Sequence, residues 1–298
     1  MSMKIGITGA TGFIGSELAR QARAAGHTLI GYSRSQRKPT EDISEFRSLT
    51  PGQPIDATNL DAVINLAGES ILGLWTNAKK ERIRESRILA TQSVVTGIRS
   101  ASPRPPHLVN ASAIGFYGNT GDEIADEDSP VGSGFLAGVS NEWENAAREA
   151  ESFGTRVAIV RIGFVVGPGG ALKLMKPVFL AGLGGKLGSG KQWMSCIHLT
   201  DVAGILLAAV ENESFSGAVN AVQPAPVTNA QFTRTLGNVL HRPTLIPAPR
   251  FTVKMALGDF SHLLLDSQRI VPRRLDDLGY KLKFPDLESA LLDATERL

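Results

Sequence analysis

Three glycines at spacing three, Gly9, Gly12 and Gly15, stand between a short apolar run, Lys4-Ile5-Gly6-Ile7-Thr8, and a helix-forming stretch over residues 16–23. In a dinucleotide site one such glycine makes the tight turn, one lets the backbone approach a pyrophosphate, and one allows close helix–sheet packing. The N–H groups left free at the helix start then meet phosphate charge. The strand before the glycines and the helix after them give the pattern its specificity. A second signal stands at the end of the next apolar run, Thr28-Leu29-Ile30-Gly31-Tyr32. An acid at that place accepts from a ribose 2′-OH and repels a 2′-phosphate. This chain has Ser33-Arg34 there, with Arg37 and Lys38 just beyond. A hydroxyl and a guanidinium suit a phosphate, because Arg offers planar, charge-assisted donors. NADP(H) is therefore the expected cofactor, ahead of NAD(H).

Such residues need a sheet to hold them. The sequence supplies strands at 28–32, 46–49, 61–68, 107–112, 155–162 and 218–222, and helices at 77–101, 139–152 and 228–240. A further apolar helix follows Ile197-His198-Leu199-Thr200-Asp201 as far as Val210, and another covers 286–297. Strands alternating with helices at this spacing argue for an α/β fold with a doubly wound parallel (Rossmann) sheet. Ligands then bind beyond the carboxyl ends of its strands. After Gly167-Pro168-Gly169-Gly170 the pattern changes to a Gly/Lys-rich loop and proline-separated helices. The expected division is a dinucleotide-binding domain over 1–166, with 196–222 returning to it. A smaller, interleaved C-terminal substrate or lid domain takes 167–195 and 223–298.

Composition sets the outer limits. The 298 residues are 42% hydrophobic and 20% charged, as in a globular protein with a sizeable core. A net charge of +2 gives no electrostatic case for nucleic acid or an acidic membrane, so a small-molecule substrate is the expected partner. Cys196 is the single cysteine, which excludes internal disulfides and cysteine-cluster metal sites, and the five histidines lack ligand spacing. No metal is implied. No apolar stretch is long enough to span a bilayer and no leader precedes the first strand, so a cytoplasmic location is expected.

With these residues in place, the chain resembles the short-chain dehydrogenase/reductase superfamily in its extended, epimerase-like form. The resemblance rests on Gly9 to Gly15, Asn65-Leu66-Ala67-Gly68, the strand ending in Ser112 with Tyr117-Gly118 after it, and Arg161 with Gly167-Pro168. More narrowly it is similar to the atypical branch called "epimerase family protein", or nucleoside-sugar-epimerase-like. That likeness is carried by Trp75-Thr76, Ser86-Arg87, Gly184-Gly185, Gly188-Ser189-Gly190 and Ile197-His198. Leu265-Asp266-Ser267-Gln268-Arg269 with Pro272, and Phe284-Pro285-Asp286-Leu287, are its most specific part. The resemblance implies that Gly9, Thr11, Gly12, Phe13, Ile14 and Gly15 surround the pyrophosphate and that Ser33 and Arg34 hold the 2′-phosphate. It also implies that Leu66, Ala67 and Gly68 line the dinucleotide. Arg87 either contacts the cofactor or is one more charge on the solvated Lys79-Lys80-Glu81-Arg82 helix.

The superfamily's usual mechanism uses a tyrosine as proton donor, a lysine four residues on that lowers its pKa, and a serine for the substrate oxygen. Only three tyrosines occur, and the residues four positions later are Gln36, Gly121 and Phe284. The Tyr-x-x-x-Lys pair is absent. Ser112 keeps the serine position, either as a substrate-oxygen ligand or as a plain strand end. Tyr117 could supply a phenol or line the pocket. Glu69 is an acid in the expected cleft or a loop acid, and the loop 184–192, with Lys186 and Lys191, either holds an anionic group or acts as a cover. His198 and Asp201 read as a strand-to-helix junction in which Asp201 or Thr200 caps the helix. Two functions follow. One is an NADP(H)-dependent oxidoreductase or epimerase-like enzyme with Ser112 and Tyr117 as catalytic candidates. The alternative is a non-catalytic NADPH-binding sensor or regulatory module.

Overall fold

Apolar residues alternate along each central strand and sort to opposite faces of one sheet. In β1 (Lys4–Thr8), Ile5 and Ile7 join the core beneath α1 (Phe13–Ala24). In β6 (Arg156–Ile162), Ala158 and Val160 point to that same core, while Val157 and Ile159 point to the other. The remaining central strands are β2 (Thr28–Ser33), β3 (Glu45–Ser48), β4 (Ala62–Asn65), β5 (His107–Ala113) and β7 (Gly217–Ala221). In this computed structural model, which describes residues 2–298, they form a seven-stranded sheet in the order β7-β6-β5-β4-β1-β2-β3. Every pairing in it is parallel. The expected doubly wound α/β sheet is the observed one. Its order reverses between β1 and β4, the switch point where such sheets open a crevice.

Helices cover both faces. Leu18, Ala19 and Ala22 of α1 pack with Val202, Ile205 and Leu206, which belong to a later helix on the same side. On the opposite face Val94, Val95 and Ile98 of α2 (Asn77–Ser100) share a core with Ala147 of α3 (Phe135–Arg148). Thr76 caps α2 by accepting from the Lys79 N–H.

Beyond β6 the chain builds a second packed unit. Its core joins α4 (Gly170–Leu180), the strand Cys196–His198, and α6 (Asn229–Val239) through Leu172, Phe179, Cys196, Phe232 and Leu236. Between them α5 (Leu199–Glu211) returns to the large sheet and supplies the helix opposite α1. Four more α-helices follow α6 among the described residues; the two longest are α7 (Arg250–Leu257) and α8 (Leu287–Glu296), and Leu287, Ala290 and Leu291 of α8 complete the second core. Thr228 and Gln231 form a reciprocal capping box at the start of α6. The helix α4, which carries Pro177 inside it, has no counterpart among the helices read from the sequence. No helix among the described residues is long and apolar enough to cross a membrane.

Candidate functional site

The turn from β1 to α1 is built on close backbone approach. Gly9 has φ +66°, a left-handed conformation that favours glycine, and a Cβ there would come within 2.7 Å of the Leu66 carbonyl oxygen. A Cβ on Gly15 would overlap the Gly9 carbonyl oxygen. The Gly12 N–H donates to that same oxygen at 2.9 Å, which closes the turn. Gly12 caps α1 without a side-chain acceptor, and the first turn of the helix carries no acid. The N–H groups of Phe13, Ile14 and Gly15 therefore keep the positive end of the helix open to an anion. Phe13 packs against the bare backbone of Gly167, Gly169 and Gly170, where a Cβ would come within 3.0 Å or less of its ring.

Below the turn, a buried polar network ties the switch point together. Thr8 Oγ1 donates to Asn65 Oδ1 at 2.6 Å and accepts from the Leu66 and Ala67 N–H groups at 3.0 and 3.1 Å. Asn65 Nδ2 donates to Thr91 Oγ1 at 2.8 Å and to Asn110 Oδ1 at 2.6 Å. The Trp143 indole donates to Thr91 as well, at 2.9 Å. Thus β1, β4, β5, α2 and α3 are fastened through five side chains, one from each, and the backbone of Leu66-Ala67 is held against the glycine turn. Sequence reasoning had Asn65 as part of a motif but missed the network.

Ser33 ends β2, and its hydroxyl accepts from Arg37 Nε at 3.2 Å and from the Ser35 N–H at 3.3 Å. Arg34 is exposed, and its charge reaches Glu69. Two cations thus flank the Ser33 hydroxyl at the carboxyl end of β2, with Arg37 the one bonded to it. Arg87 is not a solvated face charge. It folds beneath Gly68, donates to the Glu69 and Ile83 carbonyls at 3.1 and 2.9 Å, and lies 5.2 Å from the Trp143 ring centre. Burial pushes its pKa down to about 10, so it stays charged at neutral pH.

The catalytic candidates lie elsewhere, inside a closed cluster. The Ser112 hydroxyl donates to Glu144 Oε1 at 2.7 Å. Arg161 grips the same carboxylate with two bonds, at 2.8 and 2.9 Å, and donates to the Tyr117 hydroxyl at 2.8 Å. Tyr117 passes its own proton to Asn220 Oδ1 at 2.7 Å. The Arg161 guanidinium also stacks 3.5 Å from the Phe116 ring centre. All five side chains are 4% exposed or less, and burial pushes the Tyr117 phenol up to about 12. Both hydroxyls are buried and engaged by these side chains. Glu69 is held as a carboxylate well below the usual range by Lys79, 2.8 Å away.

A cleft of about 250 Å³ does open beyond β5, on the far side of this cluster. Trp75, Phe135 and Leu136 form its apolar walls, and Gly115 and Gly118 its floor. Its titratable groups are Lys80, paired with Asp259, and His262, whose Nδ1 lies 3.0 Å from Asp266 Oδ2. A carboxylate on Nδ1 fixes the tautomer and leaves Nε2 free for proton exchange. The signal was present in the sequence as His-x-x-x-Asp, one helical turn apart, but was not used. The following residues clamp the cleft. Ser267 N–H donates to Asn119 Oδ1 at 3.0 Å, Gln268 Nε2 to the Ile114 carbonyl at 3.1 Å, and Arg269-Ile270 pairs in parallel with Ile124-Ala125.

His198 and Asp201 have structural roles, with one change from expectation. The cap of α5 is His198 itself, whose Nδ1 accepts from the Thr200 N–H at 3.2 Å. Asp201 instead accepts from the Lys283 and Phe284 N–H groups at 2.6 and 3.0 Å. The imidazole is fully buried, 4.0 Å from the Phe284 ring centre, and its Nε2 lies 3.2 Å from Asp293 without hydrogen-bond geometry.

A parallel sheet in this order, a glycine turn open to phosphate at its switch point and a cleft beyond β5 define an extended short-chain dehydrogenase/reductase-type Rossmann protein. The chain belongs to the NAD dependent epimerase/dehydratase family, whose pattern matches residues 5–221; residues 248–294 match a domain of unknown function, DUF1731. An epimerase family protein of Mycobacterium tuberculosis is 40% identical over 98% of both chains. The epimerase family protein YfhF of Bacillus subtilis is 36% identical over 97% of both. Among solved structures, human epimerase family protein SDR39U1, crystallised with NADPH, superposes with a TM-score of 0.89 at 35% identity. That match covers 99% of this chain and 100% of the human one. UDP-N-acetylglucosamine 4-epimerase of Bacillus cereus shares the fold, with a TM-score of 0.77 at 18% identity over 98% of both chains.

Proposed function

We propose that this chain binds NADP(H) along the carboxyl ends of β1, β2 and β4 and acts as an oxidoreductase or epimerase-like enzyme on a small molecule in the adjoining cleft. The open N-terminus of α1 above Gly9, Gly12 and Gly15 carries the reading, because three unpaired N–H groups beside a bare backbone fit a pyrophosphate. Thr11, Phe13 and Ile14 complete that cradle, while Leu66, Ala67 and Gly68 form the opposite wall. Ser33, Arg34 and Arg37 suit a 2′-phosphate, and the human relative crystallised with NADPH supports that choice. Arg87 sets the position of Gly68 and adds positive charge behind it. When bound, such a cofactor supplies hydride transfer.

For the accompanying proton the chain offers His262, fixed by Asp266 at the cleft wall. Ser112 and Tyr117, the original candidates, would act from behind, by holding the loop after β5 in shape. The closed state of their hydroxyls also favours the second reading, an NADPH-binding sensor without turnover. A cytoplasmic location fits either function.

Fluorescence titration with NADPH and NADH separates the cofactors. Tighter binding of NADPH, with the preference lost in Arg34→Ala, is expected. Preference for NADH in the wild type overturns the 2′-phosphate assignment. Catalysis is tested on a panel of carbonyl compounds and sugar nucleotides. NADPH oxidation that falls in His262→Gln supports the enzyme, whereas binding without oxidation of any panel member supports the sensor.

A further inference from the structure

We infer that one face of the second unit docks on an anionic lipid bilayer. Its apolar part is made by Leu180, Leu183, Leu245, Ile246, Phe251 and Met255. Leu245 is 82% exposed, Phe251 74% and Met255 71%, values far from those of ordinary half-covered surface leucines. The segments carrying them are joined edge to edge. Arg242 Nε donates to the Leu180 carbonyl at 3.1 Å, the Ala248 N–H to the Lys186 carbonyl at 2.9 Å, and the Gly188 N–H to the Ala248 carbonyl at 2.8 Å. On α7, Phe251 and Met255 are one helical turn apart, and only Val253 of that helix is buried.

The charge on this face selects the occupant. No Asp or Glu occurs anywhere in 152–200 or in 214–258. Lys173, Lys186, Arg242, Arg250 and Lys254 are exposed there, and among the described residues none of them pairs with a carboxylate. On the large sheet's surface acids are interspersed with the cations, and Arg20, Arg23 and Arg84 are paired with them. The net charge of +2, which argued against a membrane, averages over this division.

Exposed Phe, Met and Leu rimmed by unpaired Lys and Arg match the boundary between acyl chains and anionic headgroups. A two-fold dimer through the same face would bring its cations against themselves, with no acid to answer them. The inference does not depend on the cofactor reading.

The test is sedimentation of the intact protein with phosphatidylcholine vesicles, with and without phosphatidylglycerol, at low and high salt. Binding to the anionic vesicles alone, loosened by salt, is expected. Phe251→Asp should weaken it about tenfold and Lys254→Ala about fivefold. Unchanged melting and NADPH titration would show these surface variants to be folded, and Lys254→Ala with the salt series decides the matter should Phe251→Asp misfold. No vesicle binding, equal binding to both lipids, or binding indifferent to the variants overturns the inference. So does light scattering that reveals a dimer broken by Phe251→Asp, or retention only by an acidic protein surface.

Discussion

The carboxyl edge of the sheet has two halves of opposite character. At β1 and β4 the buried polar groups of Thr8, Asn65, Thr91 and Asn110 satisfy one another below the surface, and the donors above them face outward. At β5, β6 and β7 the side chains of Ser112, Glu144, Arg161, Tyr117 and Asn220 bond to one another inside the protein. One half leaves backbone donors open at the start of α1. The other engages its own side chains, although it holds Ser112 and Tyr117, the two hydroxyls that the family resemblance offered as catalytic candidates. Resemblance locates residues; only their hydrogen bonds say which of them can still react.

Four measurements would break or sharpen that contrast. The largest effect is expected from Glu144→Ala, which strands the buried Arg161 charge. A loss of about 3–5 kcal/mol in urea unfolding is expected, and a loss under about 1 kcal/mol would mean the cluster is not closed. Next comes Gly15→Val in the open half. Its side chain would collide with the Gly9 carbonyl, and NADPH affinity should fall about a hundredfold or more by the affinity scale in which 1.4 kcal/mol is tenfold. Unchanged affinity would remove the turn from the binding site.

Tyr117→Phe, which removes a bond to Asn220 and one from Arg161, and Ser112→Ala, which removes one to a carboxylate, should each cost about 1–3 kcal/mol of stability and leave NADPH affinity alone. A selective loss of turnover without loss of stability would return those hydroxyls to the reacting groups. The smallest effect concerns pH. Burial holds His198 below its ordinary value of 6.5, so the unfolded chain takes the proton first. Stability from this site is full above about pH 6.5 and declines as the pH falls toward the folded pKa. Melting temperature against pH should show that acid limb, flattened in His198→Gln.

The large sheet was legible because its signals are local. Apolar runs with flanking turns fixed all seven strands of the sheet, and proline or glycine marked most helix ends. The glycine turn was legible for the same reason, since its three glycines and the strand and helix around them lie within one short stretch of sequence. The buried clusters were not. Asn65 meets Asn110 across 45 residues, and Tyr117 meets Asn220 across 103, distances no window of sequence spans. Glu144 and Arg161 each read as a helix or strand charge until β5 and β6 lie side by side. Arg87 read equally well as a surface charge because the residue that covers it, Trp143, comes from another helix. The reverse held for His262-Asp266, a local spacing that stood in view unused.

The clamp over the cleft has a consequence for how the protein comes into being on the ribosome. Six of the seven strands have been made once residue 162 is added, and the glycine turn was finished within the first 15 residues. The loop after β5 nevertheless receives its fastening from Ser267, Gln268 and Arg269, which are made only after the whole of the sheet. The glycine turn closes within one short stretch of chain, whereas the cleft takes shape only when residues from far along the chain return to fasten it.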